Sequence, residues 1–276
     1  MIDALLAPFH FAFMQRAFVA ALVVGTLCSV IGTYVVLRKL SFIGDGLAHA
    51  SFAGIVVAYL RGFDYYVGAA IVAVLTALGI GYVNRRARVS LDTAIGVLFT
   101  GAFALGVFLM SRLPNYNVDL QSFLFGNILA VSRGDLYLIL MLAFVVCVAL
   151  VLLYRPLLYT SFDPIVAQAS GIRAGFVEYA LLVLLALTII ISLEAVGIVL
   201  VAALLVTPPA AAYQLTRRFT RMLALSACIG ASCAVAGLYA SYYLHAASGA
   251  TIVLLATAVF FAAMGYRALP MRRSRG

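Results

Sequence analysis

Apolar residues run along this chain in blocks of about twenty, the length a helix needs to cross the hydrocarbon core of a bilayer. The blocks occupy 17–37, 43–60, 66–83, 93–111 and 135–153, then a longer region at 179–215, and finally 222–244 and 248–266. The long region exceeds one span, falls a little short of two, and is interrupted from Glu194 to Gly197, so it reads as two shortened or broken helices. The pattern predicts an all-α, polytopic helical membrane protein with eight or nine transmembrane segments. It forms one transmembrane domain over 1–276, with a short outer-face segment at 1–16 and a basic tail at 267–276.

Composition excludes the main alternative. Hydrophobic residues make up 66% of the chain, charged residues 10%, and mean hydropathy is +1.16. A soluble domain carries about a quarter charged residues. The first long apolar run has no basic n-region and no small-residue cleavage site before it, which predicts a retained span. Four cysteines, Cys28, Cys147, Cys228 and Cys233, all fall inside apolar runs without metal-site spacing and read as packing residues.

The net charge of +9 changes the picture only through its distribution. Counted for nine spans, one side holds Arg38, Lys39, Arg85, Arg86, Arg88, Arg155, Arg173, Arg217, Arg218, Arg221, Arg267, Arg272, Arg273 and Arg275. The other holds Arg16, Arg61, Arg112 and Arg133. The positive-inside rule makes the first side cytoplasmic, with the C-terminus inside and the N-terminus outside. No continuous basic face remains to track phosphates, so nucleic acid is not a partner. Glycine is frequent, at 22 residues, and pairs such as Gly25 with Gly32 and Gly230 with Ala234 suit close helix packing in lipid.

Ionisable residues inside apolar runs are expensive and mark function. Asp45 and His49 stand four residues apart in the second run, hence on one helical face. A carboxylate and an imidazole together suit a borderline divalent cation. Two ligands do not close a site; a symmetric dimer supplies up to four, and incomplete coordination lets an ion leave. Gly44 and Gly46 flank the aspartate and expose carbonyls as further oxygen ligands. The competing structural reading is an Asp–His hydrogen bond near a helix terminus. Glu194 is a second deep carboxylate beside the expected break at Gly197, read as a metal-path or vestibule ligand, an extracellular gate residue or an interfacial, solvated glutamate; Pro208 is a second expected break or gate, of a kind also common in ordinary packed spans. His10, His245, Asp64 and Asp119 read as outer-face residues.

On the basic side, 155–178 is the longest loop. Within it Asp163 is a good N-cap, Pro164 a good first helical residue, Ala167 falls within the short helix, and Gly171 provides a left-handed close. That predicts a short capped helix on the cytoplasmic face, a docking knob or simply a surface helix. The chain contains no G-x-x-x-x-G-K-[ST] run and no H-E-x-x-H run.

Several motifs in one order resemble the permease subunits of the zinc/manganese/iron ABC importers, the metal branch related to siderophore and cobalamin permeases. They are Val36-Leu37-Arg38-Lys39-Leu40-Ser41 leading into Gly44-Asp45 and His49-Ala50, Leu91-Asp92-Thr93-Ala94-Ile95-Gly96, and Leu124-Phe125-Gly126-Asn127-Ile128-Leu129. Asp163-Pro164 with Ala167 and Gly171, Val196-Gly197 with Leu204-Leu205-Val206-Thr207-Pro208, and Ser248-Gly249-Ala250-Thr251 complete the set. Asn127 stands where the family commonly has an acid, and His245 where it usually has an aspartate. The resemblance implies a permease in the cell (inner) membrane without its own ATPase, hence not itself an enzyme. It implies two cytosolic ABC ATPase subunits, an extracytoplasmic metal-binding protein and a second permease copy. It gives Asp45 and His49 the metal path, and makes 163–171 the coupling helix. The divalent metal is the transported substrate, and no cofactor is implied. Read from residues alone, a gradient-driven metal carrier, an intramembrane hydrolase and a permease for a chelated organic substrate stay open.

Overall fold

With no water to satisfy a backbone inside hydrocarbon, apolar runs of this length close their hydrogen bonds within a helix. A computed structural model describes residues 10–112 and 128–268, and among them there is no strand. In chain order the helices are α1 (Ala12–Leu37), α2 (Ile43–Arg61), α3 (Tyr65–Ala87), α4 (Leu91–Met110) and α5 (Arg133–Leu152), the last preceded by a 3-10 turn at Ile128–Ala130. Two short helices follow, α6 (Tyr154–Phe162) and α7 (Pro164–Ala169). Then come α8 (Ala174–Leu193), α9 (Val196–Leu215), α10 (Phe219–Leu244) and α11 (Ser248–Ala268). Among the described residues, nine helices are long and apolar enough to cross a membrane, all except α6 and α7.

Two expectations are corrected. The outer-face segment proposed for 1–16 gives up residues 12–16, which continue α1, so Arg16 lies more than one turn inside that helix. The loop expected from 155 onward is helical as α6, whose Pro156 sits in the first turn, where no intrahelical donor is lost.

The α8–α9 region turns at Gly197, with φ 78° and ψ 167°. Glycine is the residue that adopts this conformation without a Cβ penalty. The chain doubles back there. The Cys28 thiol meets the Ser192 hydroxyl at 3.2 Å, while the adjacent Ser29 hydroxyl donates to the Leu204 carbonyl at 3.5 Å. Twelve residues of straight helix would separate Ser192 from Leu204 by about 18 Å. By contrast, the helix runs on through Pro208 and Pro209, and Gly197 alone has non-helical dihedrals in this stretch. The break expected at Pro208 does not form, and a packed bundle is the setting in which a membrane helix tolerates proline.

Both ends of this hairpin lie on one face. There Glu178 pairs with Arg85 at 2.6 Å, Arg267 donates to the Gln214 amide oxygen at 2.6 Å, and Leu37, Phe162, Gln214 and Arg267 line one cavity. Arg61, Arg133 and His245 belong to helix ends on the opposite face. The arginine-rich ends therefore gather on one side.

Small residues let the helices approach. Gly25 faces Gly230 and Ala234 of α10, and Gly32 lies against the Leu205 carbonyl of α9. Polar caps start several helices: Asp64 for α3, Ser90 for α4, Ser132 with Asp135 as a capping box for α5, and Asp163 for α7.

Two consequences are measurable. In Gly32→Val a Cβ would overlap the Leu205 carbonyl, and overpacking of this kind costs about 1–3 kcal/mol. The detergent-solubilised variant should show a clearly lower thermal midpoint, and an unchanged one would refute the close approach. In Asp163→Ala the amides of Ile165 and Val166 lose their acceptor. Cap removal costs about 1 kcal/mol, so hydrogen exchange at these amides should quicken about fivefold; equal exchange would remove the cap from the account.

Candidate functional site

α1 ends in a tight, hydrogen-bonded turn that feeds α2. The Arg38 amide donates to the Tyr34 carbonyl at 3.0 Å, the Leu40 amide to Val35 at 2.9 Å, and the Ile43 amide to Leu40 at 3.0 Å. Lys39 adopts φ 58°, the left-handed position that commonly closes a helix. Leu40 and Ile43 are buried and anchor the turn. α2 then begins with Gly44 against Leu205 of α9 and Gly46 against Ile95 and Phe99 of α4.

This packing sets depth. Leu205 also meets Gly32, five residues or about 8 Å before the end of α1. Asp45 and His49 thus start inside the bundle rather than at its rim. The His49 Nδ1 lies 2.9 Å from the Asp45 main-chain carbonyl and 3.4 Å from its carboxylate Oδ1. A carbonyl only accepts, so Nδ1 carries the proton, and in the neutral ring Nε2 presents its lone pair. That is the tautomer a metal-ligating histidine adopts when its other nitrogen donates to a carbonyl.

The pair has an open side and a closed one. The Asp45 side chain is 49% exposed and that of His49 24%. The imidazole stands 5.6 Å from the Phe103 ring, edge-on, and 6.2 Å from Phe99. Further along α2, Phe52 and Val56 join Met110 in a small apolar cluster against which Phe103 packs. An ion on the pair would have a carboxylate and an imidazole on one flank and aromatic rings on another. Among the described residues, no group of three or more His, Cys, Asp or Glu is arranged to hold a metal. The chain contributes two such ligands here.

The other sequence candidates lie elsewhere. Glu194 belongs to the α8–α9 turn, and its side chain is outside the described residues, as are Asp119 and Asn127. Gly197 forms the hinge of that turn, and Pro208 lies three residues past Leu205 inside α9. His245 closes α10 on the opposite face with Nδ1 3.0 Å from the Tyr242 carbonyl, so it does not join the pair.

On the arginine-rich face, Asp163 Oδ1 accepts from the amides of Ile165 and Val166 at 2.9 and 3.0 Å, with Pro164 as the first helical residue. The Ile172 amide returns to the Ala167 carbonyl at 3.0 Å across Gly171, whose φ is 80°. Ala167 is buried, whereas Ile165 is 80% and Val166 55% exposed. Two apolar side chains therefore stand out on a rigid, polar-capped turn.

Along the sequence Arg38 figures as a topology charge and as one member of the 36–41 motif, with no partner assigned. Its Nε donates to the Ser161 hydroxyl at 3.0 Å and its Nη2 to Thr160 Oγ1 at 2.6 Å, both on α6. Burial holds this guanidinium below its usual range, and the nearby Glu178 carboxylate acts the other way. More than 120 residues separate these partners, and a run of hydroxyls in an apparent loop carries no signal of the contact.

Comparison with known proteins agrees with this architecture. Residues 10–267 match the ABC 3 transport family. The manganese transport system membrane protein MntC of Halalkalibacterium halodurans is 47% identical over 91% of this chain and 86% of its own length. A probable iron transport system membrane protein of Haemophilus influenzae is 36% identical, covering 99% of this chain and all of that protein. Among solved structures, a chain of PsaBC from Streptococcus pneumoniae in complex with Fab superposes with a TM-score of 0.84 at 34% identity, over 96% of this chain and 95% of that one. With a family match over nearly its whole length and nine candidate spans, this chain is a multi-pass membrane protein of the ABC 3 transport family.

Proposed function

We propose that this chain is the permease subunit of an importer that moves a divalent metal, manganese or iron and with them zinc, into the cytoplasm at the expense of ATP hydrolysed by separate subunits. The observation that carries the reading is the Asp45–His49 pair, set inside the bundle with one histidine nitrogen tied to a carbonyl and the other free. Relatives named for manganese and iron transport support the cargo class.

The rest of the assembly follows from what one chain lacks. Two ligands hold a borderline cation weakly, and a second copy of the permease, brought together so that the open sides of the two pairs face, completes the coordination. The ion itself is cargo, so no resident cofactor is required. The arginine-rich face is cytoplasmic by the positive-inside rule, which places the C-terminus inside and the chain in the cell (inner) membrane. Two ABC ATPase subunits dock from that side on α7, through the exposed Ile165 and Val166. A metal-binding protein delivers the ion at the opposite face, and lipid surrounds the rest. The shorter-lived coordination of a two-fold site suits a path that must release its ion.

The assay is radiolabelled Mn2+ uptake by the assembled transporter in vesicles. Asp45→Ala and His49→Ala should each reduce uptake to background while the chain still elutes with its ATPase. Wild-type uptake in both variants would refute the site, and uptake that ignores ATP but follows a proton gradient would favour a secondary carrier. Independently, Ala167→Phe and Gly171→Val deform α7, the first by overfilling a buried position and the second by placing a β-branched residue at φ 80°. Both should lower ATPase co-purification, and full retention would dismiss α7 as the docking element.

A further inference from the structure

We propose that Arg38 is a positioning residue that transmits displacement of α7 to the turn carrying Asp45 and His49, through the two hydroxyls of Thr160 and Ser161 on α6. The inference rests on the reading of α7 as the ATPase-docking helix and adds the route by which docking reaches the metal pair.

The hydrogen-bond inventory leaves little freedom at this contact. Arginine offers only donors, so both hydroxyl oxygens accept from it. Their own protons are spent within α6: Thr160 Oγ1 donates to the Pro156 carbonyl at 2.8 Å, and Ser161 Oγ to the Leu157 carbonyl at 2.7 Å. Thr160 is buried. The planar fork of Nε and Nη2 therefore seats on two adjacent, oriented oxygens. A lysine ammonium is a single point and does not span both.

Each side of this contact continues into a stiff segment. Toward α7, the Asp163 amide donates to the Tyr159 carbonyl at 3.0 Å, and the Asp163 carboxylate caps α7. One residue thus closes α6 and opens α7. Toward the metal pair, hydrogen bonds from Leu40 to Val35, Ile43 to Leu40 and Gly46 to Phe42, the last at 2.9 Å, bridge the six residues between Arg38 and Asp45. Leu40 and Ile43 are buried within that bridge. No flexible linker intervenes from Ile165 to Asp45.

The geometry also accounts for the half-buried arginine. A guanidinium that served only to orient the protein would sit in solvent, as surface basic residues do, without the desolvation that lowers its proton affinity. Here a desolvated cation is held by neutral hydroxyls, while the Glu178 carboxylate pairs with Arg85 at 2.6 Å. Breaking such a contact leaves donors of the cation unpaired, so the fork stays seated and carries displacement from one segment to the other. Proximity alone does not establish coupling, and a double-mutant comparison does.

The test uses the complete transporter with its ATPase in proteoliposomes and reads radiolabelled Mn2+ taken up per ATP hydrolysed. Arg38→Lys removes the fork and keeps the charge. Thr160→Val with Ser161→Ala removes the acceptors and leaves Arg38 in place. Each should lower uptake per ATP about tenfold, within the range of measured allosteric couplings. ATPase co-purification, thermal midpoint and Mn2+ binding by the solubilised protein should stay near wild type. Combining the changes should cost no more than the worse of the two. Unchanged uptake per ATP, losses that multiply in the combined variant, or a parallel fall in thermal midpoint in both variants would overturn the proposal. Failure of the docking reading is separate: it appears as Ala167→Phe protein that retains its ATPase.

Discussion

At Gly32 the absence of a side chain admits the main-chain carbonyl of Leu205, and the side chain of that same leucine supports Gly44 at the start of α2. Three helices thereby share one level in the bundle. In lipid no hydrophobic force drives apolar helices together, so close backbone approach and a few buried polar contacts carry the association. The neighbouring contacts follow this logic: Ser226 donates to the Ser29 carbonyl at 2.7 Å, Ser29 to Leu204, and Cys28 meets Ser192. If α1 and α9 stood a methyl group further apart, the α2 start would lose its support, and with it the depth of Asp45.

That depth gives the Asp–His pair its chemical meaning. At a helix rim in water, a carboxylate and an imidazole one turn apart would be an ordinary cap contact. Set below the end of α1, with aromatic rings of α4 on one flank, the same residues are costly to keep unless something uses them. The tie from Nδ1 to the main-chain carbonyl fixes the ring before any ion arrives, so less ordering remains to be done on binding. On the proposed metal path, two ligands per chain would hold an ion loosely enough for it to leave.

The arginine-rich face gathers the proposed docking helix and the turn that leads to the Asp–His pair. Arg38 ties the α1–α2 turn to α6, which shares Asp163 with α7, and Arg85 of α3 pairs with Glu178 near the start of α8. These are polar contacts between segments far apart in sequence, in a protein whose helices otherwise meet mainly through apolar and small residues. Lateral slip between greasy helices costs little, whereas a guanidinium fork seated on two oxygens has one geometry.

Much of this was legible along the chain. Block length predicts eight or nine crossings, of which the described residues show nine candidates, and the alternation of arginine predicts their sidedness, because bilayer thickness and the cost of moving charge act on local sequence. The spacing of Asp45 and His49 implies a shared face, and Asp163-Pro164 with Gly171 implies a short capped helix, since both are properties of a single turn. The helix α6 was hidden by its arginine and proline, and residues 12–16 by their mixed polarity. Proline at 208 suggested a break that packing overrides, while glycine at 197 reverses the chain. What the tertiary structure alone decided is the company each residue keeps: Gly44 on Leu205, Phe103 beside His49, Arg38 on Thr160 and Ser161. Local pattern encodes how a helix begins, how long it runs and which way it faces the membrane charge. The partners across the bundle depend on where the backbones of distant segments meet, and no periodicity within one segment carries that information.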